Sequence, residues 1–141
     1  MKDTELKTAR DRALYEAYLK AIREHTFVDY HACVDYVRKS RAPQFFLSPK
    51  SLSNYLGLIF SGKDLISELN DASLRRVWEL YDRYMDYIEE HDCTGVSRER
   101  ICEILVEQEA PEFYLGRERA IQILNRERKR ARRQIQARYK Q

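Results

Sequence analysis

Basic side chains are concentrated at the C-terminal end of the chain, where they offer the clearest chemistry in the sequence. Residues 126–141 contain eight Lys or Arg residues and one acid, Glu127, so this basic segment has a net charge of +7. The whole chain carries +3, and the remainder therefore carries −4. Cations at this density neutralise phosphates and release the counterions condensed on a polyanion. The segment predicts binding to nucleic acid without sequence preference, the alternatives being a solvated helix or a helix that docks on a protein. The expected phosphate contacts are Arg126, Arg128, Lys129, Arg130, Arg132 and Arg133.

The basic segment is a poor candidate for a membrane-surface helix. Its apolar stripe consists of Leu124, Ala131, Ile135 and Tyr139, whereas a helix lying on a lipid surface needs a broader face of bulky side chains. No stretch of the chain approaches the roughly 20 apolar residues that span a bilayer. The N-terminus lacks the apolar run of a signal peptide. We therefore expect no membrane partner and a cytoplasmic location.

The remaining titratable residues form neither a catalytic nor a metal-binding pattern. His31 and Cys33 share the spacing of His91 and Cys93, but the Cys-x₂₋₄-Cys and His-x₃₋₅-His pairs of structural zinc sites are absent. We expect Cys33 and Cys102 to be core residues. Acidic residues occur at the spacing of a solvated helix face, and no glycine-rich phosphate loop or nucleophile elbow is present. The sequence predicts no enzymatic activity, no metal and no cofactor.

A six-residue motif occurs twice and divides the chain. Residues 42–47 (APQFFL) recur 68 positions later as residues 110–115 (APEFYL). Proline disfavours helical geometry at the residue before it, so each copy ends one helix and connects it to the next. Two aromatic residues and a leucine are too apolar for a free surface loop. We expect each connector to be buried in the core of its own unit, with Pro43, Phe45, Phe46, Pro111, Phe113 and Tyr114 as the connector residues.

Apolar residues three and four positions apart predict six helices, at about 10–25, 29–41, 48–60, 72–91, 97–109 and 116–138. Similar residues recur between the halves at offsets of 66 and 68. We predict an all-α protein: a tandem pair of three-helix units with pseudo-symmetry and an extended basic C-terminal helix. The first unit covers 1–60, the connection 61–71, the second unit 72–125 and the basic tail 126–141, with the units packed as one domain.

The starts of the predicted helices share a capping pattern. Asp29, Ser48 and Ser97 each stand at a helix start with an apolar residue before them and another four positions after them. This spacing is typical of an N-cap with a hydrophobic staple, such as Val28 packing on Cys33.

The second helix, the connector and the third helix of each unit resemble a helix-turn-helix, and the connector resembles those of short, uncharacterised bacterial and phage-like DNA-binding proteins. The resemblance covers about 30 residues of each unit, and it departs from the motif because six residues separate the helices where three or four are usual. It implies that each third helix presents its N-terminal turns to a DNA groove. Asn54 and Gln122 occupy equivalent positions, and both side chain types bind adenine. The implied contacts are Lys50, Ser51, Asn54, Arg117, Arg119 and Gln122.

These features predict a nucleic-acid-binding protein of regulatory or architectural function, with DNA as the expected partner and RNA as an alternative. The competing interpretation is a helical protein-interaction module whose aromatic connectors form a groove. The third helices distinguish the two. Third helices exposed on one face with the basic tail favour DNA binding, whereas third helices buried against each other favour the interaction module.

Overall fold

The computed structural model describes residues 3–139, and all regular structure in that range is helical. The helices are α1 (Asp3–Glu24), α2 (Tyr30–Arg38), α3 (Pro49–Phe60), α4 (Asp71–Glu90), α5 (Arg98–Val106) and α6 (Arg117–Tyr139). The all-α prediction is confirmed. α1 begins earlier than expected because Leu6 extends its apolar stripe into the core. α2 and α5 end three residues earlier than expected, before their connectors.

Side-chain caps begin α2, α3 and α5 as the sequence predicts. Asp29, Ser48 and Ser97 each accept a hydrogen bond from the backbone N–H three residues later, at 2.8–3.1 Å. The staple predicted before α2 is wrong, because Val28 is 90% exposed. Phe27 packs against the core in its place.

The two connectors lie side by side and bind each other. Ala42 and Ala110 exchange two backbone hydrogen bonds, with N···O distances of 3.0 and 2.9 Å. The Phe45 N–H donates to the carbonyl of the last residue of α5, and the Phe113 N–H donates to that of α2, both at 3.1 Å. The last carbonyls of a helix have no partner within it. Each connector therefore donates a hydrogen bond to the last carbonyl of the helix that precedes the other connector.

The aromatic rings of the connectors stack in pairs across this contact. Phe45 stacks on Tyr114 with ring centroids 6.1 Å apart, and Phe46 stacks on Phe113 at 6.4 Å. All four rings are buried, which confirms the predicted burial, but each lies against the other connector and not within a unit of its own. Phe46 and Tyr114 adopt φ angles of 54° and 56°, which cost a non-glycine residue about 1–3 kcal/mol. Ring burial and stacking offset that cost.

The third helix of each half packs against helices of the other half. α3 lies on α4 and α5, while α6 lies on α1 and α2. Across residues 3–139, α3 makes no contact with α2, and α6 makes none with α5. The structure therefore forms one bundle from α1, α2 and α6 and another from α3, α4 and α5. The ranges 1–60 and 72–125 do not each pack as a unit, because each connector crosses to the other bundle before its third helix begins.

Candidate nucleic-acid interface

The C-terminal half of α6 extends beyond the helices it packs on. Its first turns bury Ala120, Ile123 and Leu124, whereas every residue of 132–139 is exposed. The helix has no break at the boundary placed at residue 126. α6 still faces α1 past that point, since Glu127 lines a pocket together with Arg12 and Tyr15 of α1. The projecting part of the basic segment is therefore 132–139, within the range that the structure describes.

Ion pairs neutralise only some of the cations on α6. Arg126 binds Asp11 at 3.4 Å, and Arg130 binds Glu127 at 3.3 Å. The other basic side chains of the helix's second half have no ion pair with any residue of 3–139. These free cations are Arg128, Lys129, Arg132, Arg133 and Arg138.

Arg117, predicted to contact DNA, is instead bound to α2. Its guanidinium forms two hydrogen bonds with the Asp35 carboxylate, one of them 3.0 Å long from Nε. Asp35 also accepts a hydrogen bond from Arg38 Nε at 2.8 Å, and Arg38 donates to the Leu115 carbonyl. Hydrogen bonds from Arg117 and then Arg38 hold the pKa of Asp35 well below its usual range. Arg117 therefore fixes the start of α6 to α2, which does not suit a phosphate contact.

The other predicted third-helix contacts belong to different bundles. Lys50 and Asn54 are exposed on α3, and Arg119 and Gln122 are exposed on α6, where they share a 3.4 Å hydrogen bond. Ser51 accepts a hydrogen bond from the Ser48 hydroxyl at the start of α3. Because α3 does not contact α2, the helix pair of a helix-turn-helix is not formed within either half. The third helices are also not packed against each other in the described range.

A cleft rich in arginine lies between the starts of α4 and α6, and no local sequence pattern indicates it. Its arginines come from four helices, and most of their charge is neutralised by carboxylates, including the Arg75–Glu112 pair at 2.6 Å. Arg76 has no carboxylate partner in 3–139 and donates to the Phe45 and Phe46 carbonyls at 3.4 Å. Burial lowers the pKa of Arg76. The cleft arginines are Arg10, Arg38, Arg75, Arg76, Arg117 and Arg119.

A pocket of about 240 Å³ lies where α6 meets α1 and α2. We call it the tyrosine pocket; it is lined by Tyr18, Tyr30, Leu124, Asn125 and Arg128. The two tyrosine rings meet edge to face with centroids 6.3 Å apart. Burial raises the pKa of both phenols, and the Arg128 charge partly opposes that shift. Both rings are therefore neutral at pH 7.

Cys33, Cys102 and His91 have positions that packing explains. Cys33 and Cys102 are buried as predicted, and burial raises the pKa of Cys102 to about 11. His91 stacks on Tyr87 with ring centroids 4.1 Å apart. Within residues 3–139, no group of three or more His, Cys, Asp or Glu side chains is placed to hold a metal ion. None of the described helices combines the length and apolarity needed to cross a membrane.

The aromatic connectors do not form an open groove, because their four rings are buried. A groove of about 320 Å³ beside Pro43 is lined by aliphatic and polar side chains and contains no aromatic ring. Comparison with known proteins gives no relative from which a function could be transferred: no protein-family model, no curated protein and no solved structure matches this chain.

Proposed function

We propose that the protein binds nucleic acid through the free cations of the C-terminal half of α6, with DNA as the expected partner and RNA as the alternative. One observation carries this proposal: Arg128, Lys129, Arg132, Arg133 and Arg138 are exposed and have no carboxylate partner in the described part of the chain. They follow one another along about three turns of α6, and Arg132, Arg133 and Arg138 lie on its projecting part.

Free cations suit a phosphate backbone better than paired ones. An arginine already bound to a carboxylate must exchange that partner for a phosphate, which reduces the net gain. The five free cations make no such exchange. Each phosphate that they neutralise releases condensed counterions, so binding weakens steeply as salt is raised.

This mode of binding does not require base reading. Phosphate contacts position a protein on nucleic acid without carrying sequence information. The exposed side chains of Asn54 and Gln122 lie in different bundles, and neither half forms the helix pair of a helix-turn-helix. We therefore propose backbone binding of the kind that serves an architectural or regulatory role, in place of a sequence-reading helix-turn-helix.

The proposal predicts that two free cations set much of the salt dependence. The variant Arg132→Ala/Arg133→Ala should weaken binding to random duplex and reduce the slope of log K against log salt by about 0.9 for each phosphate that is no longer neutralised. The affinity would be measured by gel shift at several salt concentrations. The matched control is Lys63→Ala/Arg100→Ala, which removes the same charge from residues already paired with Glu68 and Glu103. Equal loss of binding in both variants contradicts the proposal.

A further inference from the structure

The tyrosine pocket combines the groups that bind an unpaired nucleobase. Tyr18 and Tyr30 offer aromatic rings, buried Leu124 offers apolar contact, and Asn125 offers an amide with hydrogen-bond donors and an acceptor. Its volume of about 240 Å³ is roughly eight times that of one water in the liquid. Proteins bind unpaired bases by stacking them on aromatic side chains and hydrogen-bonding their edges.

The positions 68 residues earlier in the third helix provide an internal comparison. Asn125 and Arg128 correspond to Gly57 and Phe60 on α3. There the space is filled: the Phe60 ring packs on Tyr84 with centroids 5.9 Å apart. A methyl group at Gly57 would lie 3.0 Å from a guanidinium nitrogen of Arg98. The same corner of the second bundle is thus occupied by the chain's own side chains.

The aromatic and basic residues exchange places between the two corners. Arg98, which covers Gly57, corresponds to Tyr30, and Phe60 corresponds to Arg128. In the tyrosine pocket the aromatic residue of this pair, Tyr30, therefore lies on α2, and the cation, Arg128, lies on α6 with the other free cations. Tyr30 keeps 40% of its surface exposed. The open corner is the one beside the phosphate-binding helix.

Arg128 belongs to both the pocket and the free cations. Lys129 and Arg132 lie one residue and about one turn further along α6. A strand whose phosphates follow these cations places a base beside the tyrosine rings. A base in a duplex is stacked and paired, and it can enter such a pocket only by flipping out at a cost of a few kcal/mol.

We infer that the protein binds single-stranded nucleic acid and stacks an unpaired base against Tyr30 in the tyrosine pocket. This inference rests on the proposed function and adds a preference for single strands over duplex. The α6 cations bind the phosphate backbone of the nucleic acid, and the pocket distinguishes a single strand from a duplex.

The experiment uses the full-length protein and three fluorescent probes with equal numbers of phosphates: oligothymidine, its abasic counterpart and a hairpin duplex. Fluorescence anisotropy should show oligothymidine bound more tightly than the other two. Tyr30→Ala should weaken oligothymidine binding about 5- to 150-fold and leave abasic binding unchanged. Tyr30→Phe should retain the affinity because it keeps the ring. Tyr36→Ala is the matched control, since Tyr36 is a comparably exposed tyrosine on the same helix, outside the pocket.

The outcomes separate the two proposals. The base-stacking inference is overturned if duplex binds as tightly as oligothymidine and Tyr30→Ala does not change either affinity. That result would leave the proposed phosphate binding by α6 intact. Equal weakening of oligothymidine and its abasic counterpart by Tyr30→Ala also overturns it, because the ring then acts only through the fold. If the wild-type protein binds none of the three probes, the proposed function fails as well.

Discussion

Asp35 binds both Arg38 and Arg117 where α2 packs against α6. It accepts hydrogen bonds from Arg117 and Arg38, and those bonds hold its pKa well below the usual range for a carboxyl. A carboxyl with a lowered folded-state pKa contributes stability that is present above its unfolded pKa of about 4 and is lost as the pH falls. The contribution is modest because Asp35 is partly exposed.

We predict that Asp35→Asn lowers the free energy of unfolding by about 0.5–1 kcal/mol at pH 7. The difference from wild type should be smaller at pH 3, where the wild-type carboxyl has lost part of its advantage. Urea denaturation followed by circular dichroism at both pH values measures it. A difference of the same size at pH 3 would show that the Asp35 charge is not what matters.

Residue-scale prediction from the sequence succeeded where the partner is near in the chain. The caps at Asp29, Ser48 and Ser97 bond to residues three positions away. The sequence does not predict that Arg117 binds Asp35, because the two residues are 82 positions apart and no local pattern connects them. The sequence does not indicate a binding role for Tyr30 either, because residues of α6, distant in the chain, complete the pocket that it lines.

At the scale of elements, the paired connectors organise the fold. Phe45 and Phe113 are buried, and each stacks on a ring of the opposite connector. Phe45→Ala and Phe113→Ala should each lower the free energy of unfolding by about 3–5 kcal/mol. Phe60→Ala provides the control, because its ring is 48% exposed and should cost less than about 2 kcal/mol.

Chemical denaturation of the three variants measures these costs. The two connector variants should agree with each other, since the rings occupy equivalent places. An unchanged unfolding midpoint for Phe113→Ala would show that the connector does not organise the fold.

The sequence predicted the helices and connectors because both follow from local patterns: apolar spacing, caps and the Ala-Pro pair. The sequence did not predict that α3 packs on α5 and α6 packs on α2. α2 and α5 present similar apolar residues, such as Val37 and Leu105, so either one fits α3 by composition. The choice depends on the left-handed backbone at Phe46 and Tyr114, a conformation that aromatic residues seldom adopt.

At the scale of the whole molecule, the exchanged third helices link the two bundles. Each bundle contains helices from both halves of the chain, so neither bundle is complete without the helix that the other half contributes. Most of the buried residues in the described range form a single cluster with members in both bundles. The bundles should therefore unfold in one transition.

We predict that Leu14→Ala in α1 and Leu56→Ala in α3 destabilise the same unfolding transition, each by about 2–5 kcal/mol, because both side chains are fully buried. Amide hydrogen exchange should show matching decreases in protection in both bundles for either variant. A decrease confined to the mutated bundle would mean that the bundles open separately.

The crossing of the connectors also sets the order in which the protein can fold during synthesis. α1 and α2 leave the ribosome first, but the helix that covers them, α6, is the last to emerge. α3 likewise waits for α4 and α5. The nascent chain must carry uncovered apolar faces on α1 and α2 until α6 has been translated, and chains in that state aggregate or recruit chaperones. The first turns of α6, which bury Ala120, Ile123 and Leu124, thus complete the first bundle, and the basic segment follows them along the same helix.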